Sequence, residues 1–136
     1  MDYAAPLSEA KLIGIEQLKS AMHLPTNRNS PLENFSFAVN FENRIEAERK
    51  RVYVIVHIHL SQDGHPEILS EFSASCIFQL PSIEPAATGE VQVAPHLLDI
   101  LNRISLSTTR GLLFSTLKGT YLHEAILPLI EPLELR

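Results

Sequence analysis

Three segments between residues 35 and 80 alternate regularly in side-chain character, and this periodicity is the strongest constraint on the fold. The alternating apolar or small side chains are Phe35, Phe37, Val39 and Phe41 in the first segment, Val52, Val54, Val56, Ile58 and Leu60 in the second, and Ile68, Ser70, Phe72, Ala74, Cys76, Phe78 and Leu80 in the third. A period of two places each set on one side of a β-sheet. Asp63-Gly64 and Pro66 indicate a hairpin connection, and the polar stretch Glu42 to Arg51 joins the first two segments. We predict an antiparallel meander of three strands.

The N-terminal segment is ambiguous. Leu12, Ile15, Leu18 and Met22 recur at roughly helical spacing, whereas Ile13 and Ile15 also fit alternation, and a glycine at position 14 weakens the helical interpretation. The residues by themselves leave helix and strand open.

A long helix is predicted to begin at Pro95, since a missing N–H group costs nothing in the first helical turn. Its apolar residues occupy more than one face: Leu97, Leu101 and Ile104 form one stripe, and Leu98, Ile100 and Leu106 widen it. Such a helix usually contacts two surfaces, so we expect its own sheet on one side and a second subunit on the other. The predicted subunit interface consists of Leu97, Leu98, Leu101 and Ile104. Gly111 either ends the helix or allows close approach of another backbone, and Arg110 is interpreted as a cation near the helix end.

Bulk composition restricts the class of protein. The chain has 136 residues, 45% of them hydrophobic and 20% charged, which predicts a single globular domain over residues 1–136. The net charge of −5 and the dispersed basic residues argue against nucleic-acid binding. A single cysteine excludes an internal disulfide, and neither a secretory signal nor a membrane-spanning stretch is recognisable. We expect a cytoplasmic protein that does not insert into membranes.

No motif predicts catalysis or a bound cofactor. His57 and His59 share a strand face near His65, but no third ligand is placed reliably to complete a zinc site. His96, His123 and Asp99 suggest a hydrolase triad only on paper, because the chain lacks a Gly-x-Ser-x-Gly elbow. No glycine-rich phosphate loop is present. We therefore predict no enzyme, no metal and no cofactor, with an undetected activity as the third-ranked alternative.

The segment after Gly111 is rich in apolar residues, and Pro128 and Pro132 prevent it from forming one regular helix. Two interpretations stay open: plain core packing, or a surface groove for an extended apolar polypeptide. The residues predicted to bind peptide are Leu112, Leu113, Phe114, Leu117, Tyr121, Leu122, Ile126 and Leu127.

The order of these parts resembles the SecB family of protein-export chaperones. The matching residues are Ile104 to Gly111 (Ile-Ser-Leu-Ser-Thr-Thr-Arg-Gly), the segment Ile126-Leu127-Pro128, and Phe78 before the connection that starts at Pro81. The resemblance implies an α+β fold: a four-stranded antiparallel sheet packed against one long helix, with the N-terminal segment as the additional strand. Only eight residues follow Pro128, so the family's C-terminal helix is expected to be shortened or absent.

The resemblance also implies a function. We expect an ATP-independent holdase that binds unfolded or secretory polypeptides for export, working as a homodimer or homotetramer and handing clients to SecA. The alternative is a dedicated chaperone of a toxin–antitoxin system, with an antitoxin as its partner, or another protein-interaction module.

Overall fold

The protein folds as an α+β structure in which one antiparallel sheet carries one helix. The computed structural model describes residues 10–25, 34–65, 67–81, 83 and 93–129. Its elements are β1 (Lys11–Met22), β2 (Phe35–Glu46), β3 (Arg51–Gln62), β4 (Ile68–Gln79) and α1 (Pro95–Leu117). The strand order is β1-β4-β3-β2. The predicted fold class and the three-strand meander are confirmed.

The ambiguous N-terminal segment is a strand, β1, at the edge of the sheet. It pairs antiparallel with β4 from Lys11 opposite Gln79 to Met22 opposite Ser70, with two irregularities in register. A Cβ at Gly14 would lie 3.3 Å from Cδ1 of Ile77, so glycine leaves room for that side chain across the strand. Because β1 pairs with the last strand of the meander, the contact that makes it a strand is distant in sequence.

The core lies between the sheet and α1, over the two central strands. Every second residue of β3 from Val52 to Leu60 is buried, and Phe72, Ala74 and Cys76 of β4 are buried on the same side. Helix α1 packs against β3 and β4. Its fully or nearly buried residues are Leu97, Leu101, Asn102, Ser105, Leu106, Thr109, Leu113 and Leu117.

The helix extends beyond the point predicted from the sequence. Gly111 lies within α1, which continues to Leu117, so the prediction that it ends the helix is wrong. Within the described part of the chain, a Cβ at position 111 would meet nothing within 4 Å, so close approach of a backbone from a second subunit stays a prediction. Arg110 is accordingly not a helix-end cation; its guanidinium donates to the Ser107 hydroxyl at 3.3 Å. The chain leaves α1 at Lys118, and Gly119 provides the positive φ of 80°.

Strand β2 is longer than predicted. It continues to Glu46, and the connection to β3 is the turn at residues 47–50, so the polar stretch Glu42 to Arg51 is largely strand. Polar side chains are compatible with a strand here because β2 lies at the edge of the sheet, where side chains stay close to solvent. The polar character of residues 42–46 therefore reflects their exposure and does not indicate a loop.

After α1 the chain forms turns and then a segment that is neither helix nor strand, and no second helix occurs among residues 118–129. Leu122, Ala125 and Leu127 are buried and belong to the same core as the sheet. Within the described ranges, no helix has the length and apolar content that crossing a bilayer requires.

Candidate polypeptide-binding site

An apolar cleft lies where the segment after α1 passes the beginning of β2. It has a volume of about 340 Å³ and is lined by Phe35, Phe37, Glu124, Ile126 and Pro128. Four of these five residues are apolar, and the single carboxylate belongs to an exposed residue. A concave apolar surface with one charged group at its margin suits an apolar side chain of a ligand.

The pairing of β2 with β3 positions the two phenylalanines. Phe35 lies opposite Gln62 and Phe37 opposite Leu60, so both side chains are on the face of the sheet that carries α1. Each is partly buried and packs against the core. Since β2 pairs only with β3 among the described strands, its end is a sheet edge, and these aromatic rings are only partly covered.

A turn after α1 positions the other wall of the cleft. Residues 120–124 form this turn, in which Thr120 accepts a hydrogen bond from the backbone of His123. The Tyr121 hydroxyl donates to the carbonyl of His23, just beyond β1. Burial of Leu122 then holds the turn to the core. As a result Ile126 faces outward, and 58% of its surface is exposed.

The eight residues predicted to bind peptide separate into three groups by their exposure. Leu113, Leu117, Leu122 and Leu127 are each at most 2% exposed and are core residues of a single chain. Leu112 and Tyr121 are partly buried against that core. Phe114 and Ile126 are 48% and 58% exposed, and only Ile126 lines the cleft. The buried members offer no surface to a ligand in this conformation.

Phe35 and Phe37 were missed as candidate binding residues. The sequence shows three phenylalanines, including Phe41, on one face of one strand. Three aromatic side chains on one face of one strand could have marked it as a candidate apolar surface, but aromatic residues are also common in strands that only pack in a core. Their position beside Ile126, however, is a tertiary contact that no local pattern shows.

The four residues predicted to form a subunit interface lie mostly against the chain's own sheet. Leu101 is fully buried and Leu97 is 8% exposed. Leu98 and Ile104 are partly buried and pack against the core. These residues therefore have an intramolecular role, and their contact with a second subunit stays a prediction.

The two strand histidines lie on the face of the sheet opposite α1, each near a carboxylate, and 3.9 Å separates Nε2 of His59 from a Glu71 carboxylate oxygen. His57 contacts the Ser73 hydroxyl at 2.8 Å through Nδ1 and a Glu42 carboxylate oxygen at 3.4 Å through Nε2. Hydrogen bonds from Arg44, and secondarily from His57, lower the pKa of Glu42. Within the described ranges, no three His, Cys, Asp or Glu side chains form a metal-binding group.

Desolvation raises the pKa of two further groups. Burial raises the pKa of the Cys76 thiol, which faces Ser105 and Thr108 of α1. Desolvation also raises the pKa of the Tyr121 phenol. Both groups are therefore protonated at neutral pH and act as packing or hydrogen-bond donors rather than as nucleophiles.

The architecture is that of the SecB-like fold. A solved structure with this fold is the SecB-like chaperone Rv1957 of Mycobacterium tuberculosis, in complex with a ChAD peptide from the HigA1 antitoxin Rv1956. The similarity covers 93% of this chain and 94% of that chain, with a TM-score of 0.59 and 14% sequence identity. No protein-family model matches the sequence, and no curated protein matches it. The likeness is thus one of fold.

Proposed function

We propose that this protein is a chaperone that binds extended apolar segments of unfolded polypeptides in the cleft between β2 and the segment after α1. The observation that carries the proposal is the cleft itself, where two phenylalanines face an exposed isoleucine. The SecB-like fold supports it, because the similar chaperone Rv1957 was solved with a bound peptide.

The proposed mechanism is passive and needs no nucleotide, metal or covalent step. An apolar client side chain enters the cleft between Phe37 and Ile126, and its removal from water stabilises the complex. Full burial of one large apolar side chain contributes roughly 1.5–3 kcal/mol. Glu124 at the margin favours clients in which a basic residue lies near the apolar one. Holding such a segment would keep it from aggregating.

A dedicated chaperone of a toxin–antitoxin system is the second candidate function. The observation that favours it is the antitoxin peptide bound to Rv1957. A dedicated chaperone would bind one antitoxin segment much more tightly than unrelated unfolded proteins, whereas a general export holdase would bind many with similar affinity. Cytoplasmic location, assembly into a homodimer or homotetramer, and transfer of clients to SecA are further parts of the general-holdase proposal.

The test is binding of a permanently unfolded protein, reduced and carboxymethylated α-lactalbumin, to the intact chain and to Phe37→Ala. We expect Phe37→Ala to lose about 1.4 kcal/mol of binding free energy, which corresponds to a roughly tenfold weaker affinity. Leu18→Ala is the matched control, because Leu18 is 50% exposed on β1 and does not line the cleft. Thermal unfolding of each variant shows whether the fold is kept.

Equal loss of affinity in Phe37→Ala and Leu18→Ala would exclude the cleft as the binding site. Absence of binding by the intact chain would exclude a general holdase. A panel of antitoxin segments would then test the dedicated function, and binding of one of them alone would identify it.

A further inference from the structure

Strand β2 is a regular edge of the described sheet. Its pairing with β3 runs without a register shift from Phe35 opposite Gln62 to Glu46 opposite Arg51. The strand at the other edge, β1, has two irregularities in its pairing with β4. Irregularities of this kind are one means by which proteins prevent further pairing at a sheet edge. Because β2 is twelve residues long and lacks them, it is the edge better suited to accept an added strand.

Hydrogen bonds at the two ends of the hairpin show which backbone groups of β2 point away from β3. The Asp63 N–H donates to the carbonyl of Asn34 at 2.7 Å, and bonded and non-bonded pairs alternate along an antiparallel ladder. At the other end, the Leu80 N–H donates to the carbonyl of Lys50 at 2.7 Å, which gives the same alternation across β3. Both bonds leave the odd-numbered residues of β2 with N–H and C=O groups directed at the sheet edge. These residues are Phe35, Phe37, Val39, Phe41, Asn43 and Ile45.

The same six residues carry the side chains of β2 on the face that carries α1. Five of the six are apolar and none is charged, whereas Glu42, Arg44 and Glu46 lie on the opposite face. Charged side chains are another feature that blocks pairing at an edge, and the outward-bonding positions lack them. Phe35 and Phe37 also line the cleft. The backbone groups at the edge and the aromatic wall of the cleft therefore belong to the same residues.

We propose that a client segment binds as an added antiparallel strand on β2, hydrogen-bonded to the backbone of Phe35 and Phe37. This inference rests on the proposed function and specifies the client as an extended segment in which apolar and polar residues alternate. In an antiparallel pair, a client residue that bonds to Phe37 has its side chain on the same face as Phe37, beside the cleft. Backbone bonds accept any sequence, while the cleft selects an apolar side chain at alternate positions. Among the described residues, β2 pairs with β3 alone, and no backbone–backbone hydrogen bond joins residues 126–129 to it.

The test is binding of the heptapeptide acetyl-Lys-Leu-Thr-Phe-Thr-Leu-Lys-amide, measured by fluorescence anisotropy, and of two N-methylated derivatives. Methylation of the two leucine nitrogens removes donors that point at β2 and blocks close approach of the strands. We therefore expect affinity to fall by about tenfold or more. Methylation of the two threonine nitrogens is the matched control, because these groups point away from β2. That derivative should bind within about threefold of the unmodified peptide.

Equal weakening by both derivatives, or by neither, would overturn strand addition, whereas weaker peptide binding by Phe37→Ala would keep the cleft as the site. Loss with the threonine derivative alone would also overturn the proposal, since parallel pairing uses the alternate client residues. Binding of reduced, carboxymethylated α-lactalbumin without binding of the peptide would overturn this inference and keep the proposed function. If neither binds, both fail.

Hydrogen exchange of the β2 amides provides a second readout. In the free chain the amides of Phe35 and Phe37 should exchange faster than those of Ser36 and Ala38, which point at β3. The peptide should slow exchange at Phe35 and Phe37 by roughly tenfold or more and leave the other two nearly unchanged. Slow exchange at Phe35 and Phe37 without peptide would overturn the proposal, because the edge would already be occupied. A dependence of that protection on protein concentration would identify the occupant as a second copy of the chain.

Discussion

The hydrogen bond between Asn43 and Asn102 should be a measurable contributor to stability. Asn43 of β2 donates through Nδ2 to Oδ1 of Asn102 in α1 over 2.9 Å. Asn102 is 4% exposed, so its amide depends on protein partners rather than on water. The bond joins α1 to β2, the edge strand that also carries Phe35 and Phe37.

The expected size follows from burial. Asn43→Ala leaves the Asn102 carbonyl without this donor, and an unsatisfied buried polar group costs about 1–3 kcal/mol. Because Asn43 itself is exposed, a water molecule can replace part of the bond in the variant. The expected decrease in the free energy of unfolding is therefore about 1 kcal/mol, at the lower end of the range. Asn102→Leu also removes the buried polar group, so it should decrease the free energy of unfolding by less than Asn43→Ala does, provided that leucine fits the site.

The assay is urea unfolding of the intact chain, both single variants and the double variant. A double-mutant cycle isolates the pair, and we expect a coupling of about 0.5–1.5 kcal/mol with an unchanged dependence on urea concentration. Asn40→Ala is the control, since Asn40 is exposed on the opposite face of β2. A coupling near zero would refute the argument that the buried amide needs this partner.

Three other predictions follow from the described contacts. Gly111→Ala should raise the free energy of unfolding by about 0.5–1 kcal/mol in urea melts, because the position is helical, exposed and free of neighbours; destabilisation would show that another surface covers it. Light scattering should give a mass well above the 15.2 kDa of one chain, and Ile104→Glu should lower that mass. A mass equal to that of a monomer for the intact chain would contradict self-association. The pKa of Glu71 is lowered mainly by its hydrogen bond with Lys19. The ionised carboxylate therefore stabilises the fold fully at pH values above the ordinary pKa of 4.5, and this stabilisation is lost as the pH falls through the lower pKa of the folded state. Lys19→Gln should therefore reduce the loss of stability in acid, and identical pH profiles would contradict the pairing.

Local sequence patterns were sufficient to predict the helix and strands whose side chains are buried at regular intervals. The alternation in β3 identified both the strand and its buried face, because all five predicted apolar positions from Val52 to Leu60 are buried. Pro95 marked the start of α1 correctly. The prediction that the helix ends at Gly111 was wrong, although glycine often follows a helix. One exposed glycine within a long helix costs only about 1 kcal/mol of stability, and the burial of Leu113 and Leu117 in the next turns offsets this cost.

The candidate site was only partly predictable. Sequence reasoning selected the segment after Gly111 because it is apolar, and apolar residues line both cores and clefts. Composition could not separate Leu127, which is buried, from Ile126, which is exposed. The exposure of each side chain depends on its neighbours in the fold, which belong to β2 and the rest of the sheet and not to the segment itself.

The sequence by itself determined the strands of the meander, the long helix and the apolar face that each presents, because these depend on side chains spaced two or about four residues apart. Only the tertiary structure decided that Lys11–Met22 is a strand beside β4, since this pairing joins residues more than forty positions apart. It also decided that the cleft combines Phe35 and Phe37 with Ile126. Such contacts depend on the closure of long loops and on competition for one shared core, and no short segment of the chain contains that information.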